Sequence, residues 1–428
     1  MRQYRTEHTG AGRLHPDLGL ECGRGCRVAT IFYPSAAAYR MRILAMFFHY
    51  PPISGGGVVV ITSILNTMAK MGHDVTVIAP LLDWDGPKYQ PEMDPRIRTV
   101  RTHVQFGSRI KIAARLCQYG MKKAAIREGR AAKFDFVFSI FHPFHLAPKA
   151  AVEAASELGI PCVVKIDDAV YQMSSGLKSL QRRAEKAVSS RTLRAASSLL
   201  VSNELSGEIV AAEYGVDPAR IMTVPNGVDL SMFHAADRRD GLKIIFTGAI
   251  YGHRGLEIMI SAMPRIIQRV KGAKLVVVGD GPTLGSLREV AAGSSAGESM
   301  EFAGWVERDL IPGYVADASV GLASLRETEV TRGALPIKVL EYMAASLPLI
   351  AKRGTLTGEI LADGKNGYLV DNEDDLVEKA SLLLSDPGLA KRMGEESRRM
   401  VRRYSWDTVV GEIIGAAQQA RQKHVGSG

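Results

Sequence analysis

The sequence predicts an α/β protein made of two doubly wound domains. Its length, 428 residues, is enough for two domains with full cores. Apolar runs of strand length alternate with helical stretches over most of the chain, the order expected of parallel sheets flanked by helices. A polar, charged stretch at residues 232–242 separates an earlier series of such units from a later one, as an inter-domain linker would.

Residues 1–40 carry charges throughout and show no sustained periodicity. They are expected to be a disordered N-terminal extension, with only Val28–Tyr33 apolar enough to suggest a strand. Met41–Phe48 reads as a buried parallel strand. Pro51-Pro52 and the run Gly55-Gly56-Gly57 end it. A helix is expected from about Val58 to Met71, stopped by Gly72-His73, and then a strand from Asp74 to Ala79. Further strands are expected at Asp135–Phe141, Pro161–Ile166 and Ala195–Ser202, with a helix at Pro148–Leu158. After the linker, strands are expected at Leu242–Phe246, Leu275–Val278, Met300–Phe302, Val320–Ala323, Pro348–Ala351 and Tyr368–Val370, alternating with helices. Ligands of such folds bind at the carboxyl ends of the strands.

Composition narrows the function. The apolar content of 46% is that of an ordinary globular protein. No window approaches the apolar length of a membrane-spanning helix, and the N-terminus lacks the apolar core of a signal peptide. Cys22, Cys26, Cys117 and Cys162 form neither a disulfide framework nor a completed metal site, so a reduced, cytoplasmic compartment is expected. The net charge is +9. Arg109, Lys111, Arg115, Lys122, Lys123, Arg127, Arg130 and Lys133 crowd one segment, with Ile110, Ile112, Leu116, Tyr119 and Met121 interleaved and only Glu128 against them. Lys178, Arg182, Arg183, Lys186, Arg191 and Arg194 form a second basic run. Docking on an anionic membrane surface is one reading of such helices, and a solvated basic face is the other. No recognition motif for nucleic acid accompanies the charge.

The run from Thr331 to Ala345 carries the most specific chemistry. Pro336 is expected at the start of a helix, where its missing N–H costs nothing. Gly333 and Ala334 leave the preceding backbone open to close approach. The helix N-terminus would offer N–H groups to a phosphate. Lys338 and Glu341 lie on one face of that helix, and a carboxylate beyond a phosphate site suits the hydroxyls of a ribose. A surface Glu–Lys pair on a buried helix is the plainer reading. Gly55-Gly56-Gly57 would let backbone approach a phosphate as well, but the dinucleotide Gly-x-Gly-x-x-Gly spacing and the P-loop lysine are both missing.

These motifs stand in a characteristic order. Upstream lie Gly248-Ala249-Ile250-Tyr251-Gly252-His253-Arg254-Gly255, Val278-Gly279-Asp280-Gly281-Pro282 and Phe302-Ala303-Gly304-Trp305. Downstream lie Gly358-Glu359-Ile360 and Asn366-Gly367-Tyr368-Leu369-Val370. In order and spacing they resemble the donor-binding half of the family 4 glycosyltransferases, and the likeness runs from about Met41 to Trp406. The resemblance implies the GT-B fold, two Rossmann-like domains facing across a cleft. Residues 41–235 would be the acceptor-side domain, closed by a short strand at Ile221–Pro225, and residues 240–404 the nucleotide-sugar donor domain. Residues 405–428 would form a helix crossing back to the first domain.

The resemblance also assigns roles. Gly55 and Gly56 match the glycine pair near the donor phosphates, and Gly248, Gly333, Ala334, Leu335, Pro336 and Ile337 would line the donor site. Arg254 matches a diphosphate-binding lysine, Lys338 would join it, and Glu341 matches the ribose-binding glutamate. The pattern departs in three places. Ala249 stands where an arginine is usual, with Arg332 as the candidate substitute. Gly333 stands where the first glutamate of an E-x7-E pair is usual, with Glu327 or Glu329 as candidates. Asp167, followed by Asp168, stands where a histidine near the donor sugar is usual. Asp167 would orient the acceptor or stabilise positive charge at the anomeric carbon, or act as a helix cap. His142 and His145, at i and i+3 with no carboxylate beside them, make a poor metal pair and read as simple loop histidines or as acceptor-loop residues.

The expected activity is retaining transfer of a hexose from a nucleoside-diphosphate sugar to a glycan or lipid-linked acceptor. It would need no metal or other cofactor and would serve cell-surface polysaccharide or glycolipid synthesis, on the inner face of the membrane. Asp167, Arg254 and Lys338 would carry the chemistry. A nucleotide-sugar epimerase of the same fold and a non-catalytic nucleotide-sugar-binding protein remain alternatives.

Overall fold

The computed structural model describes residues 40–82, 88–103, 111–142, 146–167, 177–234, 242–328, 331, 335–356 and 358–426, without the side chains of 111–115, 177–182 and 425. The expectations for residues 1–39, Arg109, Ile110, His145, Asp168, Glu329, Arg332, Gly333 and Ala334 lie outside the described residues. So do those for the side chains of Lys111, Ile112, Arg115, Lys178 and Arg182.

The first sheet is formed by β1 (Arg42–Met46), α1 (Gly56–Lys70), β2 (Asp74–Leu81), β3 (Ile97–His103), α2 (Lys111–Ala131), β4 (Phe136–Phe141), α3 (Ala147–Leu158), β5 (Cys162–Ile166), α4 (Leu177–Ala195), β6 (Ser198–Val201), α5 (Glu204–Tyr214) and β7 (Ile221–Thr223). Its strand order is β3-β2-β1-β4-β5-β6-β7, parallel throughout. The second is formed by β8 (Lys243–Thr247), α6 (Leu256–Arg269), β9 (Lys274–Val278), α7 (Leu284–Ala292), β10 (Met300–Gly304), α8 (Ile311–Ala316), β11 (Val320–Leu322), α9 (Ile337–Ala344), β12 (Leu349–Lys352), β13 (Gly367–Val370) and α10 (Glu373–Ser385). Its order, β10-β9-β8-β11-β12-β13, is again all parallel. Then follow α11 (Pro387–Val401) and α12 (Trp406–Gly426).

The period of two along a strand sends alternate side chains to opposite faces. In β1, Leu44 and Met46 join one buried cluster with α2 and α3, while Ile43 and Ala45 join another with α1 and α12. In β8, Ile244 and Phe246 pack towards α6 and α10, and Ile245 packs towards α9. Both faces of both sheets are thus covered by helices, which is why the strands read as continuous apolar runs.

The last helix, α12, is part of the first sheet's core: Trp406, Val409, Val410 and Ile413 pack there beside α1. The chain therefore passes between the sheets twice, and the passages touch. Val228 forms a bridge with Ser405, and its N–H donates to the Tyr404 carbonyl at 2.8 Å. Arg398 ties the outgoing passage to the second sheet's layer by donating to the carbonyls of Phe233 (2.8 Å), Leu230 (3.1 Å) and Ala344.

The structure differs from the sequence reading in several places. β3 was not anticipated: it is an edge strand whose Arg98 and Thr99 are exposed, so apolar alternation fails there. Helix α1 starts at Gly56, so Gly55 is its cap and Gly56 and Gly57 are its first turn, not a preceding loop. Pro336 caps α9, and Ile337 is the first helical residue. Ala195 ends α4, so that strand starts only at Ser198. Arg40, assigned to the extension, pairs with Asp74 at the start of β2.

Helix α11 lies so close to the end of α9 that a Cβ on Gly394 would come to 2.0 Å from the Ser346 carbonyl oxygen. A backbone atom cannot swing aside. Gly394→Ala is therefore expected to destabilise the protein by about 2 kcal/mol, an overpacking cost, read as a lower urea midpoint.

Candidate active site

The loops at the carboxyl edge of the second sheet are fastened to one another. The Gly248 N–H donates to the Val278 carbonyl (2.8 Å), and the Gly279 N–H donates to the Gly304 carbonyl (2.7 Å). Gly248 has φ of 103° and Gly279 has φ of 142°. A Cβ on Gly279 would lie 2.1 Å from the Gly248 oxygen, so both conformation and space require glycine there. The Thr247 N–H donates to the Tyr342 hydroxyl at 2.7 Å, which locks β8 to α9.

Lys338 leaves the first turn of α9 and runs under this loop row. Its Nζ lies 3.3 Å from the centre of the Phe246 ring, and a Cβ on Gly248 would lie 3.5 Å from it. That Nζ is buried and has no hydrogen-bond partner among the described residues. Burial pushes the amine well below the usual lysine range, Arg254 pushes the same way, and Glu341 opposes both. Arg254 ends a 3-10 turn, Gly252–Arg254, beyond β8. Its guanidinium donates to the Ser324 hydroxyl (3.2 Å) and its carbonyl accepts from the Leu325 N–H (2.8 Å), so it is tied to the loop after β11. His253, stacked on Tyr251 with centroids 5.4 Å apart, is held below the usual histidine range by burial and then by Arg254 and Lys338.

Glu341 does not fit the plainer reading of a surface Glu–Lys pair. It is 2% exposed, so it is no surface partner of Lys338, and its carboxylate pairs with Arg308. Sequence reasoning missed Arg308. It stands at the carboxyl edge of β10, three residues beyond Trp305, but spacing alone does not reveal which of Glu307, Arg308 and Asp309 turns inward. Leu335 and Pro336 are half-buried, and Ile337 packs on the first sheet's core, so the start of α9 touches the other domain. Glu327, a candidate for the missing glutamate, lies against Gly354: a Cβ there would meet its carboxylate at 2.7 Å.

In the first sheet Gly55 has φ of 156°, and a Cβ on Gly55, Gly56 or Gly57 would have nothing within 4 Å. Packing therefore does not demand these glycines. Met46 pairs with Ser139, Phe141 with Ile166, and Ile166 with Val201. One row beyond these ladders stand His49, His142, Asp167 and Ser202. Asp167 accepts from the Ser202 hydroxyl (3.1 Å) and pairs with Lys165, whose side chain is fully buried. It is therefore the counter-ion of a buried lysine before anything else, while the cap reading depends on residues 168–176, which lie outside the described residues. His49, also missed from sequence, lies beside His142. Burial lowers His142, and burial with the nearby His142 brings His49 down to about 4.

That depression makes stability depend on pH. The unfolded chain takes up the His49 proton near the ordinary value of about 6.5, the folded one only near 4. Between these values the unfolded state binds more protons, so this contribution is present above 6.5 and is lost as pH falls. His49→Gln should lessen the drop in Tm between pH 7 and pH 5 by about 2 °C or more, measured by calorimetry.

Among the described residues no group of three His, Cys, Asp or Glu side chains could hold a metal ion. No described helix is long and apolar enough to cross a membrane.

Known proteins bear on this geometry. The profile of the family described as Glycosyltransferase Family 4 matches residues 54–232, and that described as Glycosyl transferases group 1 matches residues 241–386. A D-inositol 3-phosphate glycosyltransferase of Acidothermus cellulolyticus is 25% identical over 440 residues, covering 94% of this chain and 95% of the relative. A glycogen synthase of Mycobacterium tuberculosis is 25% identical over 392 residues, 86% of this chain and 92% of the relative. A GDP-mannose-dependent phosphatidylinositol monomannoside mannosyltransferase of the same organism is 32% identical over 179 residues, 40% of this chain and 46% of the relative. In fold, the chain is similar to the crystal structure of Anabaena HepE in complex with UDP, with a TM-score of 0.68 at 14% identity, covering 89% of this chain and 100% of the other. With two facing parallel-sheet domains and both profiles matched in sequence, the chain belongs to the family 4 glycosyltransferases of the GT-B fold.

Proposed function

We propose that this glycosyltransferase moves a hexose, with retention, from a nucleoside-diphosphate sugar to a hydroxyl of a glycan or lipid-linked acceptor, in cell-surface polysaccharide or glycolipid synthesis. The observation that carries the donor assignment is the buried Nζ of Lys338, which has no hydrogen-bond partner among the described residues and sits close to Arg254. A buried amine in that state wants an anion, and two cationic side chains match a diphosphate. As the sugar–phosphate bond breaks, its electron pair leaves with the diphosphate, and Arg254 and Lys338 stabilise that charge as it grows. The backbone N–H groups of Leu335 and Ile337 would share this work, and Glu341 would hold the ribose. His142 and Asp167, at the carboxyl edge of the first sheet, would face the acceptor. No metal enters this scheme. The donors and acceptors named for the relatives, GDP-mannose and a phosphatidylinositol mannoside among them, are of these classes. The epimerase alternative is not favoured, since the full-length relatives are named as a glycosyltransferase and a synthase.

Glu341→Ala is expected to weaken donor binding ten- to a hundredfold, from the roughly 1.5–3 kcal/mol of a hydrogen bond to a charged group. Calorimetry with UDP, GDP and ADP in turn would also identify the base, and unchanged affinity for every nucleotide would end the ribose assignment.

We also propose peripheral attachment to the inner face of an anionic membrane through α2. The charge there is more balanced than the sequence suggested, because α3 supplies Glu153 and Glu157 to Lys122 (3.4 and 3.8 Å) and Glu157 to Arg130 (3.3 Å). The reading is supported by one exposed stripe of Leu116, Tyr119, Lys123, Arg127 and Arg130, spaced at helical intervals. Replacing Lys123, Arg127 and Arg130 with Gln should release the protein from phosphatidylglycerol vesicles in co-sedimentation at low salt. A wild type that stays in the supernatant would leave α2 a solvated face.

A further inference from the structure

Glu341 is the most buried carboxylate at the donor edge, and its partner is a residue outside every motif that suggested the site. A carboxylate that is 2% exposed has to be compensated where it stands. Lys338, one turn back on α9, does not hydrogen-bond to it. Arg308 does: its Nη2 donates to the Glu341 Oε1, and among the described residues this is the one hydrogen bond the carboxylate makes. The guanidinium is itself fixed. It lies over the Phe233 ring, 5.3 Å from the centroid, and the Phe233 carbonyl is held by Arg398 at 2.8 Å. Tyr89 of the first domain also acts on its charge.

We propose that Arg308 is a positioning residue of the donor site: it occupies one oxygen of Glu341 and so fixes the direction in which the other is offered to the ribose hydroxyls. This rests on the reading that Glu341 holds the ribose. A guanidinium is suited to the task. It carries its charge at all working pH values, and its planar fork fixes the plane of a carboxylate as an ammonium cannot. A carboxylate held on one side has a single orientation available, so less rotational freedom is lost when the two ribose hydroxyls arrive. Glu341 is reached by no other cation's hydrogen bond among the described residues, so this orientation depends on Arg308.

The proposal separates the ribose from the diphosphate, and the test uses that separation. The full chain would be titrated by calorimetry with a nucleoside diphosphate (UDP or GDP, whichever binds tighter), with its 2′,3′-dideoxy counterpart, and with inorganic diphosphate. Arg308→Gln is expected to weaken the nucleoside diphosphate about tenfold and to leave the other two within twofold. Arg308→Lys should recover part of the loss. Glu341→Gln should show the same pattern, and Arg308→Gln combined with Glu341→Gln should lose no more than Glu341→Gln alone, because two residues acting through one contact are not additive. Equal weakening of all three ligands by Arg308→Gln would mean a general structural role and overturn the proposal, as would additive losses in the double variant. If Glu341→Gln leaves the nucleoside diphosphate unaffected, the ribose assignment has failed first. Should Arg308→Gln not fold, Arg308→Lys carries the comparison, with a loss of about threefold confined to the ligand that bears ribose hydroxyls supporting the proposal and a uniform loss refuting it.

Discussion

Both sheets are parallel throughout, and most of what this protein does depends on that constraint. Parallel strands must be joined by crossovers, so every loop that leaves the carboxyl end of a strand emerges on the same edge. On the second sheet that edge carries Gly248, Arg254, Gly279, Arg308 and the start of α9. On the first it carries His49, Gly55, His142, Asp167 and Ser202. Residues far apart in sequence meet there because the sheet stacks their strands side by side.

The carboxyl edge of the second sheet is expensive to assemble. Lys338, Arg254, Glu341 and Arg308 are charged or chargeable groups withdrawn from water; Glu341 and Arg308 form a direct pair, while the Lys338 Nζ has no hydrogen-bond partner among the described residues. Burying the Lys338 amine without a hydrogen-bond partner costs stability, and the rest of the fold offsets it through the apolar layers packed on the two faces of the second sheet. The cost has a use. A cationic site that is dry and already shaped needs little rearrangement when charge develops on a departing phosphate. The loop row from Gly248 to Gly304 and the Thr247–Tyr342 hydrogen bond hold that shape.

The two domains are joined by more than a linker. The outgoing passage near Val228 and the returning one at Tyr404–Ser405 hydrogen-bond to each other, Arg398 fixes the first to the second sheet's layer, and Trp406 anchors the second in the first sheet's core. The same outgoing passage supplies Phe233 beneath Arg308. The segment that joins the domains therefore also supports the residue paired with Glu341.

Patterns that repeat locally were legible in the sequence. Apolar runs located the central strands of the first sheet and the strands of the second, since a strand buried on both faces must be apolar along its length. The glycines at 248 and 279 and the proline at 336 marked positions where backbone geometry leaves few choices. The edge strand β3 escaped because its outer residues meet water and are free to be Arg and Thr. What only the tertiary structure decided was the partner of each charge. The sequence placed Lys338 and Glu341 on one helical face, but whether they pair depends on what approaches from other elements, and Arg308 arrives from β10. It likewise could not show that Lys165 claims Asp167, that His49 stands beside His142, or that α3 offsets the basic face of α2. Charges interact through space over distances that bear no relation to sequence separation, so their pairing is settled only when the sheets are complete.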